Sequence, residues 1–253
     1  MDVWRYFAIT HRNHVIMNPL SSEALDGVLE LIQLLPGARV LDIGCGKAEL
    51  ILRLARRSGV EAIGIERSPY TAEEARARVR RESMDDRIHI EEMDGAEYAG
   101  EPGTFDLASC LGASWIFHGH RSTLRALSRW TRPGGFVLVA EPFWRASPDP
   151  EYLSSQELRA DEFGSHASNV EDGVTEGLIP LFARAAEATE WDRYEALQWH
   201  AAEEWARENP ADPDVVEVLR RIRESRRAFL RWGRDCVGDG LYLFRKPDQA
   251  DSR

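Results

Sequence analysis

The chain has 253 residues, 43% hydrophobic and 30% charged, with a formal net charge of −11. That size suits one α/β core with an appended part, and so acidic a chain is a poor partner for a nucleic-acid backbone, which needs clustered Lys and Arg. No segment approaches the roughly 18 apolar residues of a membrane span.

In chain order, residues 1–20 form a lead-in with Trp4, Tyr6, Phe7, His11, His14 and Asn18-Pro19. Ser21 or Ser22 can cap a helix over 24–34, on which Leu25, Val28, Leu29 and Ile32 recur at helical spacing. Pro36-Gly37 ends it. Val40, Leu41 and Ile43 make a short β-favouring run, Gly44 and Gly46 follow, and 48–57 reads as helix with Leu50, Ile51, Leu54 and Ala55 on one stripe. Strand, glycine turn and helix together open a Rossmann-like unit.

A second strand over 61–65 ends at Glu66, and Ser68-Pro69 starts a helix reaching about residue 83. The arginines over 76–81 alternate with Ala75, Ala77 and Val79 and read as that helix's wet side. A third strand, 88–92, runs into Met93-Asp94-Gly95-Ala96, and a fourth, 105–110, into the apolar loop Leu111-Gly112-Ala113-Ser114-Trp115. A helix over 121–131, a tight turn at Pro133-Gly134-Gly135 and a fifth strand over 136–140 follow, the strand ending in Glu141-Pro142-Phe143-Trp144.

Beyond this, 147–173 reads as an irregular insertion or lid, 174–184 as helix and 186–190 as a weak sixth strand. Helices are expected over 191–209 and 215–236, with Tyr194 and Trp205 on a core-facing stripe. The last strand, 241–244, is expected antiparallel at the sheet edge, and 248–253 as a disordered polar tail. The expected organisation is an N-terminal cap and helix (1–35), a Rossmann-like core (36–146), a lid or insertion with the sixth strand (147–190), a helical insertion (191–236), and the last strand with its tail (237–253). The fold class is α/β: a seven-stranded, mostly parallel sheet with an antiparallel C-terminal strand and helices on both faces.

The turn after the first strand narrows the choice of ligand. A dinucleotide fingerprint reads G-x-G-x-x-G, but here Glu49 holds the third position and Asp42 precedes the glycines. Two carboxylates repel a pyrophosphate. A ligand with an ammonium and a carboxylate fits better: Asp42 favours the ammonium, and the helix start favours the carboxylate. S-adenosylmethionine is such a ligand. Glu66, 24 residues on, ends the second strand where an acid can accept bonds from both ribose hydroxyls.

With these residues in view, the chain resembles the class I S-adenosylmethionine-dependent methyltransferases over about 36–145. The resemblance is carried by Val40-Leu41-Asp42-Ile43-Gly44-Cys45-Gly46, Gly64-Ile65-Glu66, Asp94-Gly95-Ala96 and Arg132-Pro133-Gly134-Gly135. One departure is Ala48, where many members have Gly. His14 to Asn18-Pro19, the residues 112–116, 141–145 and 191–196 resemble a bacterial small-molecule subfamily and extend the match over nearly the whole chain, without specifying a substrate. The resemblance implies that Gly44, Cys45 and Gly46 contact the methionine part, Asp42 orients its ammonium, Glu66 with neighbouring Arg67 holds the ribose, Asp94, Gly95 and Ala96 hold the adenine, and Leu111 and Gly112 line the wall near the sulfonium.

Methyl transfer to a small molecule is a direct displacement, so the protein's main work is alignment, with a general base only where the nucleophile starts protonated. The candidates for that base are Glu141 and His14; Asn18, Trp115, Phe143 and Trp144 are candidate substrate contacts. No metal is expected: Cys45, Cys110 and Cys236 form no C-x-x-C pair and no His/Cys cluster has zinc spacing. The N-terminus has no signal-peptide pattern, and the expectation is a cytoplasmic monomer or homodimer. Rival readings are a non-catalytic S-adenosylmethionine-binding or regulatory protein and a nicotinamide-dependent oxidoreductase.

Overall fold

The structure, a computed structural model, describes residues 1–248. Beyond Asp248, the tail expected over 248–253 lies outside the described residues. The chain opens with α1 (Val3–Thr10), α2 (Ser22–Leu29), β1 (Arg39–Ile43), α3 (Glu49–Ser58), β2 (Glu61–Glu66), α4 (Pro69–Arg81) and β3 (Ile88–Glu92). It continues with β4 (Phe105–Leu111), α5 (His120–Trp130), β5 (Thr131–Trp144), α6 (Pro150–Ser155), α7 (His166–Thr175), β6 (Ile179–Ala185), α8 (Ala188–Glu208), α9 (Val215–Ala228) and β7 (Val237–Arg245). The seven strands form one sheet in the order β3-β2-β1-β4-β5-β7-β6. β7 runs antiparallel to both β5 and β6, and the pairings from β3 through β5 are parallel.

Alternation along the central strands sends side chains to two cores, one on each face. Val40, Leu138 and Leu243 pack under α2 and α3 with Leu25, Val28, Ile51 and Leu54. Leu41, Val137, Val139 and Phe244 face the other way, against Leu124, Leu127 and Trp130 of α5. Between them the carboxyl ends of β1, β2 and β4 form one edge, where a ligand binds in sheets of this topology.

Several expected elements are corrected. The last strand is interior, not at the edge: all but its final residue are buried, as suits a strand covered on both faces. The edge belongs to β6, which carries Pro180, a residue that cannot donate to a neighbouring strand. The expected helix over 174–184 is instead the end of α7, a turn at Gly177 (φ +77°) and this strand, while the expected strand over 186–190 is the start of α8. Residues 147–173 hold α6 and most of α7, whose start is capped by Ser165 and Ser168 bonding reciprocally.

The lead-in also contains a helix. The Asp2 carboxylate accepts the Trp4 and Arg5 N–H groups at 3.2 Å each and starts α1. α1 packs Ile9 against Ala202 of α8 and Val218 and Ile222 of α9. Each such aliphatic side chain contributes roughly 1.5–3 kcal/mol when fully buried, as an upper estimate. Arg5 ties the same contact to Asp212 at 2.6 Å and to Asp214. The first and last parts of the chain thereby join as one cap at the sheet's carboxyl edge.

Candidate functional site

The turn after β1 is built by residues in left-handed conformations: Gly44 (φ +68°), Gly46 (φ +54°) and Ala48 (φ 62°). A Cβ on Gly44 would lie 2.8 Å from the Ala113 Cβ, so glycine here allows the fourth-strand loop to close on the turn. The Gly44 and Cys45 N–H groups donate to the Ile65 carbonyl at 2.8 and 3.0 Å, fixing the turn against β2. Ala48, fully buried, holds a conformation that costs a non-glycine residue about 1 kcal/mol or more.

Two acids flank this turn. Asp42 is 2% exposed, and its Oδ1 accepts the Ser109 hydroxyl at 2.7 Å. Burial pushes its pKa up to about 7 against that hydrogen bond, and the Glu66 charge adds to the rise. Glu66 accepts the Gly46 N–H at 3.0 Å and the Ser68 N–H at 2.8 Å. Burial raises its pKa too, and those backbone donors oppose the rise.

A cavity of about 460 Å³ opens beside Glu66. Its floor is Gly44, Gly46, Glu66, Arg67, Ser68, Gly95, Leu111 and Gly112, and its roof is Trp4, Phe7 and His11 from the N-terminal segment, Trp115, and Tyr194 from α8. A small pocket of about 40 Å³ adjoins it across the same turn, lined by Asp42, Cys45, Asn18 and Lys47 and sharing Gly44, Gly46 and Leu111. The volume lies within the roughly 300–1,000 Å³ of ligand sites.

Seven of the expected cofactor residues, Gly44, Gly46, Glu66, Arg67, Gly95, Leu111 and Gly112, therefore line one cavity, and Asp42 and Cys45 line the adjoining pocket. Asp94 is at the rim: it accepts the Ala96 N–H at 3.0 Å and pairs with Arg67 at 3.0 Å. Asn18, expected at the substrate, lines the small pocket and not the larger cavity, and donates to the Leu111 carbonyl at 2.7 Å. Trp115 lines the cavity, 53% exposed, 6.2 Å from the Trp4 ring.

Phe143 and Trp144 do not line it. β5 runs four residues past its expected end and stays paired with β7, which carries both rings away from the crevice. Phe143 packs on His166 and Trp144 on Phe163, each at 5.0 Å. Glu141 is likewise buried in the β5–β7 ladder, with Oε2 3.8 Å from His120 Nδ1, and is not on the cavity wall. His14 lies behind Tyr194: its Nε2 donates to the Tyr194 carbonyl at 3.0 Å, and it lines a separate pocket of about 170 Å³.

The cavity residues that sequence reasoning missed come from the cap. Tyr194 reads as a core position on its helical stripe, and His11 as one polar residue among several. Together they meet on the cavity wall, the Tyr194 hydroxyl 2.9 Å from His11 Nε2. Lys47, also unassigned, is 5% exposed; its Nζ donates to the His11 and Arg12 carbonyls at 3.0 and 3.3 Å and pairs with Glu74 at 2.9 Å. It fastens the N-terminal segment to the glycine turn.

This fold and crevice define a Rossmann-like protein with a ligand-sized cavity at the first crossover. Residues 40–135 match the family described as Methyltransferase domain, and the chain belongs to the S-adenosylmethionine-dependent methyltransferases. It is similar to a solved S-adenosylmethionine-dependent methyltransferase from Thiobacillus denitrificans in complex with S-adenosyl-L-homocysteine, at 30% identity and a TM-score of 0.87, covering 96% of this chain and 99% of that one. It is 29% identical to the uncharacterized protein YjhP of Escherichia coli K12 over 96% of this chain and 98% of that protein. It is also 28% identical to the 27-O-demethylrifamycin SV methyltransferase of Amycolatopsis mediterranei, over 68% of this chain and 70% of that enzyme.

The residues present fit S-adenosylmethionine. Glycine backbone lies where a Cβ would clash, Glu66 offers a hydroxyl acceptor, and Asp42 offers a carboxylate for an ammonium. Arg67, the guanidinium on the wall, is already paired with Asp94, which leaves a pyrophosphate without a free cation there. Among the described residues no group of three or more His, Cys, Asp or Glu could hold a metal ion, and no helix is long and apolar enough to cross a membrane.

Proposed function

We propose that this methyltransferase moves the methyl group to a small-molecule acceptor by direct displacement. The observation that carries this is the roofed cavity: α1 and α8 cover the crevice with Trp4, Phe7, His11 and Tyr194, leaving space for a small ligand rather than a polymer surface. The name of the Amycolatopsis mediterranei relative, which specifies 27-O-demethylrifamycin SV, supports the same class of acceptor.

In this reading Asp42 and Asn18 orient the amino-acid tail, Gly44 to Gly46 cradle it through backbone, Glu66 and Arg67 hold the ribose, and Asp94, Gly95 and Ala96 hold the adenine edge. Leu111 and Gly112 shape the wall beside the sulfur. The bound cofactor supplies an activated methyl carbon on a positively charged sulfur. The chain supplies alignment, worth up to roughly 7–11 kcal/mol when reacting groups are held in line. His14 acts from behind the wall by holding the Tyr194 backbone, and Glu141, buried in the β5–β7 ladder beside His120, supports the strand, so any acid–base role for them is indirect. Trp115 faces the acceptor; Phe143 and Trp144 support the strand behind it.

Residues 1–35 and 191–236 serve as the cap over the 36–146 core, with 147–190 and the strand Val237–Arg245 completing the sheet. The buried free thiols of Cys45, Cys110 and Cys236 suit a reducing cytoplasm, and the net charge of −11 speaks against a nucleic-acid acceptor. The enzyme works as a monomer or homodimer. The test is incubation with a donor carrying a chiral, isotopically labelled methyl group and a panel of small acceptors. Inversion in the methylated product is expected. Retention, or label found only on protein or nucleic acid, would overturn the proposal.

A further inference from the structure

The roof of the cavity carries a polar pair, His11 and Tyr194, among the aromatic rings of Trp4, Phe7 and Trp115. His11 Nδ1 lies 3.1 Å from the Phe7 carbonyl, one turn back on α1. The Thr10 hydroxyl lies 3.0 Å from the same nitrogen but directs its own proton to the Tyr6 carbonyl at 3.1 Å, and a carbonyl only accepts, so Nδ1 bears the proton and Nε2 is left with a lone pair. That lone pair faces the Tyr194 hydroxyl at 2.9 Å. The Tyr194 proton is therefore directed at His11, and its oxygen keeps its lone pairs for whatever enters the cavity. Burial, with His14 and Lys47 nearby, holds the His11 pKa down to about 3, so the ring stays neutral and the arrangement persists at ordinary pH.

The surroundings describe the rest of the ligand. Trp4, Phe7 and Trp115 form a connected aromatic group, with Trp4 6.4 Å from Phe7 and 6.2 Å from Trp115. Met17 also lines the cavity, beside Gly46. Arg67 is paired with Asp94, and Lys47 with Glu74 and two carbonyls, so an anionic headgroup finds no free cation.

We propose that Tyr194 accepts a hydrogen bond from the acceptor's nucleophile while His11 positions the Tyr194 hydroxyl, and that the acceptor is a neutral aromatic molecule whose reacting atom bears hydrogen, as in a phenol. This rests on the small-molecule methyltransferase reading of the crevice. In the reaction the nucleophile's oxygen, held by its hydrogen bond to Tyr194, forms the bond to the methyl carbon, the carbon–sulfur bond breaks with its electron pair going to sulfur, and the proton on the methylated oxygen, now strongly acidic, passes to water at the cavity mouth beside the exposed Trp115. Tyr194 would be the catalytic residue in contact with substrate and His11 a positioning residue.

The test uses the full-length protein saturated with S-adenosyl-L-homocysteine and two probes of matched shape, phenol and toluene. Titration followed by NMR gives both affinities. Wild type should prefer phenol about tenfold, the value of one well-placed hydrogen bond that toluene cannot make. In Tyr194→Phe that preference should fall to within about twofold or reverse, because phenol then loses hydration without recompense. Equal affinities in wild type, a preference that survives Tyr194→Phe, or no binding of either ring at millimolar concentration would overturn the proposal. Should Tyr194→Phe fail to fold, the wild-type comparison decides alone. Failure of S-adenosyl-L-homocysteine itself to bind wild type would instead refute the cofactor site, and so separates the two readings.

Discussion

Replacing Glu66 with Gln keeps the side chain's size and removes its charge. In the structure the carboxylate accepts two backbone N–H groups, from Gly46 and Ser68, and in the proposed complex the same oxygens take the ribose hydroxyls. A glutamine oxygen can serve one of those N–H groups; its NH2 then faces the other, donor against donor. Hydrogen bonds to a charged group contribute about 1.5–3 kcal/mol each, and a buried donor left unpaired costs about 1–3 kcal/mol. Part of that loss falls on the empty protein, where the glycine turn and the start of α4 loosen, and part on the complex. The expected loss in affinity for S-adenosyl-L-homocysteine is about 1–3 kcal/mol, or roughly 5- to 150-fold. Isothermal titration reads it directly. Thermal unfolding with and without ligand gives an independent value, since bound ligand adds RT ln(1 + [L]/Kd). A folded Glu66→Gln protein binding within twofold of wild type would refute the role of Glu66 at the ribose.

Gly44→Ala should lower the unfolding midpoint and weaken cofactor binding, because a Cβ at φ +68° costs about 1–2 kcal/mol and meets Ala113 at 2.8 Å; Gly27→Ala, inside α2 with open space around its Cβ, should raise stability by about 0.5–1 kcal/mol. Calorimetric midpoints moving the other way would show the backbone reasoning wrong. Asp239 is buried beside Glu141 and its pKa is raised to about 8. An acid whose folded pKa is raised stabilises fully at low pH and loses that contribution as pH climbs from about 4 to 8, so the ligand-free protein should lose about 1.4 kcal/mol per pH unit from this residue between about pH 5 and 7. Glu195, raised to about 7 by burial, adds to the slope. Denaturant titrations should show Asp239→Asn flattening it, and an unchanged slope would remove Asp239 as its source. Lys47→Met should free the segment around His11 and Arg12, weakening cofactor binding by about 1.5–3 kcal/mol and exposing residues 1–20 to protease; protection equal to wild type in limited proteolysis would count against Lys47 as the fastener.

The core and its crevice were legible because backbone requirements write themselves into local sequence. Gly44 and Gly46 sit where left-handed turns demand them, and Asp42 and Glu66 end strands whose apolar runs are plain. The strand order around β7 was not legible, since Gly238, Asp239 and Gly240 hide a strand that is buried on both faces. Residues 174–184 misled for the converse reason: the apolar positions near Leu181 and Phe182 suit a helix as well as a strand, and only pairing with β7 decides. The roof was the hardest part. His11 and Tyr194 are 183 residues apart and meet only because α1 docks on α8 and α9. That contact is a tertiary fact with no local signature. Glu141 and the two aromatics after it were misplaced because β5 continues past the expected strand end.

A crystal structure of the full chain with S-adenosyl-L-homocysteine tests the site most directly. The amino-acid tail should lie beside Asp42 and Asn18, the ribose hydroxyls should bond Glu66, the adenine should rest by Gly95, and the sulfur should face Tyr194 across the cavity. Ligand bound elsewhere, or a crevice left vacant at saturating ligand, would contradict the assignment.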